Sequence, residues 1–266
     1  MRCYGLALEV ATEDGAILER LVADLPPGAR PVETEAVNRR WALRVAGVGR
    51  PLHEVLVDGE VAARAPDLGE ALERLHSDLR LYVAAHARRR LFVHAGVVAW
   101  RGRAILMPGR SLAGKSTLTA ALVRLGATYF SDEYAVLDER GRVHPFGKPL
   151  SLRDGAGRQH DVAVEALGGV AGRGPLPVGL VVATAYRDGA RFRPRALSPG
   201  ETVLALFDNT VAAQHAARRA LAVLRAVSVE ARAVRGARGE AEAAARAILR
   251  LAGRERRDVE LPPTQC

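Results

Sequence analysis

"LFVHAGVVAWRGRAILMPGRSLAGKST" spans residues 91–117, and its reading decides the fold. Two apolar runs flank the four residues Trp100-Arg101-Gly102-Arg103. A gap that short joins only antiparallel strands, because a parallel pair needs a crossover of about a dozen residues or more. The second strand therefore enters the glycine loop paired with its immediate predecessor. Most P-loop proteins build that strand into a parallel sheet, so the arrangement predicted here is unusual.

The loop itself, Gly109 through Lys115-Ser116, fits G-x-x-x-x-G-K-[ST] between a predicted strand and a predicted helix, the context that motif needs. Glycines let backbone approach phosphate without Cβ clashes, and a helix N-terminus offers N–H groups and partial positive charge to an anion. The expected nucleotide-binding residues are Gly109, Arg110, Ser111, Ala113, Gly114, Lys115, Ser116 and Thr117. Lys115 would carry a point charge to the phosphates, and the Ser116 hydroxyl would reach Mg²⁺. Composition argues against coincidence. Of 39 basic residues only Lys115 and Lys148 are lysines, and an arginine does not easily replace an ammonium inside a phosphate cradle.

Phosphoryl transfer also needs carboxylates beside the triphosphate. Asp132 and Glu133 follow the strand after the loop helix, which sets them at that strand's carboxyl end, next to the loop. His94 stands in the apolar strand before the loop strand, where a lone histidine is more often a core residue than a catalytic one.

These segments together, "HAGVVAWRGRAILMPGRSLAGKST" and then "YFSDEYAVLD", resemble the catalytic domain of the HPr kinase/phosphorylase family, and especially its shorter HPr-kinase-like members. The likeness is good over residues 90–185 and loose elsewhere. It implies an α/β fold with a mixed sheet, related to phosphoenolpyruvate carboxykinase. It implies ATP and Mg²⁺ as cofactors, Asp132 as acid/base on an acceptor hydroxyl, Glu133 with Ser116 and Asp132 at the metal, and His94 at the active site. The bifunctional enzymes carry a further signature, Glu-x-Arg-Gly-Leu-Gly. Its counterpart here is "LSLRDGAG", with Ser151 in place of the carboxylate and Arg153 in register. That departure weakens the case for a second metal ligand, for phosphorylase activity and for HPr as substrate. Arg153 and Arg173 remain candidates for stabilising the transferring phosphate.

The expected activity is transfer of the γ-phosphate to a hydroxyl of a peptide, protein or small-molecule acceptor. An ATPase, or an ATP-binding regulatory protein without phosphotransfer, stays open. No LSGGQ-like signature points to a transporter ATPase.

Outward from this centre, residues 1–64 alternate apolar and polar runs and are expected to form a small strand-rich region. Residues 65–253 are expected to form the kinase domain. It begins with an amphipathic helix capped by Asp67, on which His76 and His86 read as solvated or boundary residues. "PVGLVVATAY" reads as a buried strand, 150–174 as irregular with a mobile glycine-rich stretch, and the remainder to about 252 as helix. Residues 254–266 read as a flexible tail. The net charge of +9 comes from arginines scattered among carboxylates, with few aromatics, so no nucleic-acid partner is expected. Cys3 and Cys266 form no disulfide framework or zinc spacing, and no stretch approaches the roughly 20 apolar residues of a membrane span. The sequence reads as a soluble cytoplasmic protein with no membrane partner, and it leaves room for a homo-oligomer.

Overall fold

The computed structural model describes residues 1–253 apart from 35, 48, 50, 110–112 and 155–157. The expected tail, 254–266, lies outside these, as do Arg110 and Ser111 of the loop.

The chain divides into two compact units at Arg90/Leu91. The first contains β1 (Arg2–Cys3), β2 (Leu6–Thr12), α1 (Gly15–Ala23), β3 (Arg39–Arg44), β4 (His53–Val57), β5 (Glu60–Ala65) and α2 (Leu68–His86). Its sheet runs β1-β2-β3-β4-β5. The boundary expected at 64/65 thus moves past α2. That helix starts at Asp67, whose side chain accepts from the Glu70 amide, and it buries Leu72, Leu75, Leu79 and Val83. The indole of buried Trp41 in β3 donates to Asp78 at 2.8 Å, tying α2 to the first sheet. His76 is a second correction. It is 4% exposed and its Nε2 donates to the Leu21 carbonyl, because α1 covers that face of α2.

The second unit contains β6 (Leu91–Trp100), β7 (Arg103–Pro108), α3 (Lys115–Arg124), β8 (Thr128–Ser131), β9 (Tyr134–Leu137), β10 (Val143–His144), β11 (Leu150–Arg153) and β12 (Gln159–Val162). After these come β13 (Val178–Tyr186), β14 (Arg195–Ala196), α4 (Pro199–Phe207), α5 (Ala217–Glu230), β15 (Arg232–Arg238) and α6 (Ala241–Ala252). The large sheet runs β10-β9-β6-β7-β13-β15-β14, with β8 also on β6. The fold is therefore mixed α/β with mixed sheets, and six α-helices lie among the described residues.

The β6–β7 hairpin is antiparallel as expected, with Trp100 opposite Arg103. Its two turn residues, Arg101 and Gly102, both take positive φ, which matches the turn to the twist of the strands. On its other side β7 runs parallel to β13. Successive residues of each strand point to opposite faces. Val97, Ala104 and Leu106 pack with Leu206, Val223 and Leu224 of α4 and α5 on one face. Val98, Ile105 and Met107 pack with Leu118, Leu122 and Ile248 of α3 and α6 on the other. The sheet is thus sandwiched between helices, and burial of these two apolar layers is the main source of stability.

Two expectations fail in the carboxyl-terminal half. The stretch from about 187 to 252 is not all helix, since "RAVRGAR" forms β15, parallel to β13 from Leu180↔Arg232 to Tyr186↔Arg238. Nor is 150–174 without order. β11 and β12 pair, a single 3₁₀ turn covers Val164–Leu167, and Tyr129 N and O bond Val170 O and Gly172 N.

Candidate active site

The loop follows β7 and ends at Gly114, the N-cap of α3, which stands at φ 72°. That left-handed conformation strains any residue with a Cβ. A Cβ there would also lie 2.4 Å from Arg238 Nη2, so the guanidinium would have to shift. Gly114 has no side-chain cap to offer, so the first amides of α3 are not satisfied by one and point at the loop. At the other end, Gly126 N to Val123 O and Ala127 N to Leu122 O close the helix in the reversed pattern typical of a glycine stop.

Strands β8 and β9 do not form a hairpin with each other. Both run antiparallel to β6, β8 against Val97–Ala99 and β9 against Leu91–His94. Asp132 and Glu133 occupy the break between them. The break survives because Ser131 Oγ accepts from the amides of Glu133 and Tyr134, and because the Ala95 amide donates to Glu133 O.

Four donors converge on Asp132, which is 4% exposed. Ser116 Oγ donates to Oδ2 at 2.7 Å and Ser151 N at 3.0 Å; Lys148 Nζ lies 3.1 Å from Oδ1, and Tyr129 Oη lies 3.2 Å from it. Ser116, at the start of α3, and Asp132 therefore meet directly. Lys148 also sits 3.8 Å from Glu133 Oε2 and donates to Ser151 Oγ. Burial lowers the pKa of Lys115, against the pull of Asp132 and Glu133.

His94 joins this group from β6. Its carbonyl accepts the Gly109 amide at 3.1 Å, its own amide donates to Asn209 O, and its ring lies against Tyr134. Burial first and the Lys115 charge second lower its pKa against the pull of Glu133, and the net shift favours the neutral imidazole. Ala113 and Thr117 bracket the helix start, Thr117 being exposed.

Arg153 and Arg173 are not drawn in. Arg153 ends β11 opposite Gln159 and is exposed, on the same strand face as Ser151. Arg173 is exposed beyond Gly172, and no described contact carries its guanidinium to Asp132.

Four residues of the site escape a reading of motifs: Lys148, Tyr129, Ser151 as a backbone donor, and Arg238. Lys148 carried a signal, since it is the only other lysine in an arginine-rich chain. The other three are set by tertiary placement. No group of three or more His, Cys, Asp or Glu that could hold a metal exists among the described residues. The hydroxyl and two carboxylates at hand still suit Mg²⁺, which commonly takes one or two carboxylates and completes its shell with water and phosphate oxygens. No helix among the described residues is long and apolar enough to cross a membrane. No model of a known protein family matches the chain, and no curated protein is significantly similar to it.

Proposed function

We propose that the protein is an ATP- and Mg²⁺-dependent kinase with a P-loop fold of the HPr-kinase and phosphoenolpyruvate-carboxykinase kind, acting on a hydroxyl of a peptide, protein or small molecule. The observation that carries this reading is the 2.7 Å hydrogen bond from Ser116 to Asp132, with both lysines of the chain beside the same carboxylate pair. A decorative glycine loop would have no reason to gather them.

On this reading the amides at the start of α3 and Lys115 hold the β- and γ-phosphates. Mg²⁺, held by Ser116, Asp132 and Glu133, would draw negative charge from the phosphate oxygens when bound. Asp132 takes the proton from the acceptor hydroxyl as the new O–P bond forms and the γ-phosphorus–oxygen bond to ADP breaks, leaving phosphoacceptor and ADP. Ser116 is the partner that Asp132 would release, because a hydroxyl facing the metal frees Oδ2. His94, neutral and behind Gly109, shapes the loop entry without adding charge.

Incubation with γ-labelled ATP and a panel of hydroxyl peptides and metabolites tests the proposal. Transfer should vanish in Asp132→Asn while ATP still binds. Transfer unaffected by that change sinks the acid/base assignment, and ATP binding unaffected by Lys115→Ala sinks the phosphate reading. A nucleotide-binding protein without phosphotransfer is favoured by one observation, Ser151 standing where the related signature has a carboxylate. It would bind ATP and label no acceptor.

A further inference from the structure

Only two residues among the Asp, Glu, Lys and Arg of the described chain are fully buried: Asp132 at 4% exposed and Arg238 at 3%. They flank the start of the same helix. Asp132 takes the Ser116 hydroxyl, and Arg238 Nη2 donates to the carbonyl of Gly114 at 2.9 Å. Arg238 is the last residue of β15, which runs parallel to β13 as β13 does to β7. The carboxyl ends of all three strands, and the loop that follows β7, therefore share one edge of the sheet.

The surroundings of Arg238 are those of a charge awaiting an anion. Its Nη1 donates to Gly239 O, and its guanidinium lies over the ring of Tyr186, 5.5 Å from the centroid. Its Nε is buried without a hydrogen-bond partner, and no carboxylate lies within ion-pair distance of it among the described residues. Burial is the main influence on its pKa and lowers it, against the pull of the Glu240 carboxylate. A buried cation held by carbonyls alone is costly, and an arginine placed only to clamp two loops could be replaced by neutral donors at less cost. Lys115 and Lys148 face Asp132 and Glu133, which leaves Arg238, offset only through space by Glu240, and the positive end of α3 as the remaining positive field at the loop.

We infer that Arg238 is a positioning residue of the phosphate site: it fixes the Gly114 carbonyl and lends its charge to a bound polyphosphate. The inference rests on the phosphate reading proposed above. It extends that reading to a residue 124 positions from Gly114 in sequence, outside any motif.

Calorimetric titration with pyrophosphate, ADP, ATP and adenosine tests it in the wild type, Arg238→Met, Arg238→Lys, Arg238→Gln and Arg238→Ala. Arg238→Met should weaken pyrophosphate and ATP alike by about 10- to 100-fold, the loss of one charge-assisted contact. Adenosine binding should stay unchanged. Arg238→Lys should recover part of the pyrophosphate affinity, and millimolar guanidinium should recover part of it in Arg238→Ala. A folded Arg238→Met that melts lower but binds pyrophosphate as well as wild type overturns the inference. Should Arg238→Met fail to fold, a folded Arg238→Gln that binds pyrophosphate as well as wild type overturns it instead. Wild-type protein that binds no pyrophosphate defeats both this inference and the phosphate reading. Binding that depends on Arg238, without labelling of any acceptor, defeats only the kinase.

Discussion

Lys148 Nζ lies 3.1 Å from Asp132 Oδ1, so one of the chain's two lysines is spent on the acidic pair while the other stands at the loop. Lys148 is largely buried and Asp132 almost wholly so. Replacing Lys148 by Met strands a carboxylate in low dielectric and should cost about 2–3 kcal/mol, seen in chemical denaturation. Added MgCl₂ should raise the melting temperature of Lys148→Met more than that of the wild type, because a divalent cation then meets no ammonium in its place. Equal shifts in the two proteins would separate Lys148 from the metal position.

Ser116→Ala removes the 2.7 Å hydrogen bond to Asp132 and the hydroxyl proposed to reach the metal. Loss of one hydrogen bond to a charged group predicts a stability decrease of about 1–2 kcal/mol, and a larger effect on Mg²⁺-dependent than on metal-free nucleotide affinity. Titration of nucleotide with and without EDTA reads the difference.

Tyr129 is fully buried, with its hydroxyl 3.2 Å from Asp132 Oδ1 and 2.9 Å from the Lys148 carbonyl. Burial and the Asp132 charge raise its pKa, so it stays a neutral donor across the working range. Tyr129→Phe should cost about 1–3 kcal/mol in urea unfolding, by leaving buried acceptors short of a donor.

The hairpin was legible because its gap was too short for any other connection, and the glycine-lysine loop stood out because its lysine was rare. Asp132 and Glu133 were legible because they follow the next strand directly. Lys148 lies far from the loop in sequence, and only the packing of β11 beside α3 carries it to Asp132. Strand β15 was hidden for another reason. "RAVRGAR" offers small residues and arginines instead of a β-branched run, and it earns its place by pairing with β13 and β14, which propensity cannot reveal. His76 looked like a surface residue because α1, its cover, has no signature on α2.

Gly96 faces α3 so closely that an added Cβ would lie 2.5 Å from Thr119 Oγ1 and 3.1 Å from Met107 Cε. Thr119 is fully buried on the helix, so its hydroxyl has little room to give way. Gly96→Val should lower stability by about 1–3 kcal/mol and, by pushing on α3, weaken pyrophosphate binding as well. Thermal melts and calorimetry on the same samples would show whether the two losses travel together.

Burial lowers the pKa of His76, as it does that of His94. The unfolded chain, with histidines near their ordinary 6.5, then binds more protons than the native state in mildly acidic solution. Stability should therefore be level above about pH 6.5 and fall as pH drops below it. His76→Gln should flatten that slope in melts from pH 5 to 8, whatever it does to stability at pH 8.

Strand β6 touches the strand leading into the loop on one side and the acidic pair on the other. A single extended segment thus sets the spacing between the start of the glycine loop and the carboxylates, as a ruler would. Drift in the β11–β12 hairpin or in the turns that follow it can change what approaches Asp132 without altering that spacing. On the proposed kinase reading, acceptor choice is thereby free to diverge while the transfer geometry stays fixed.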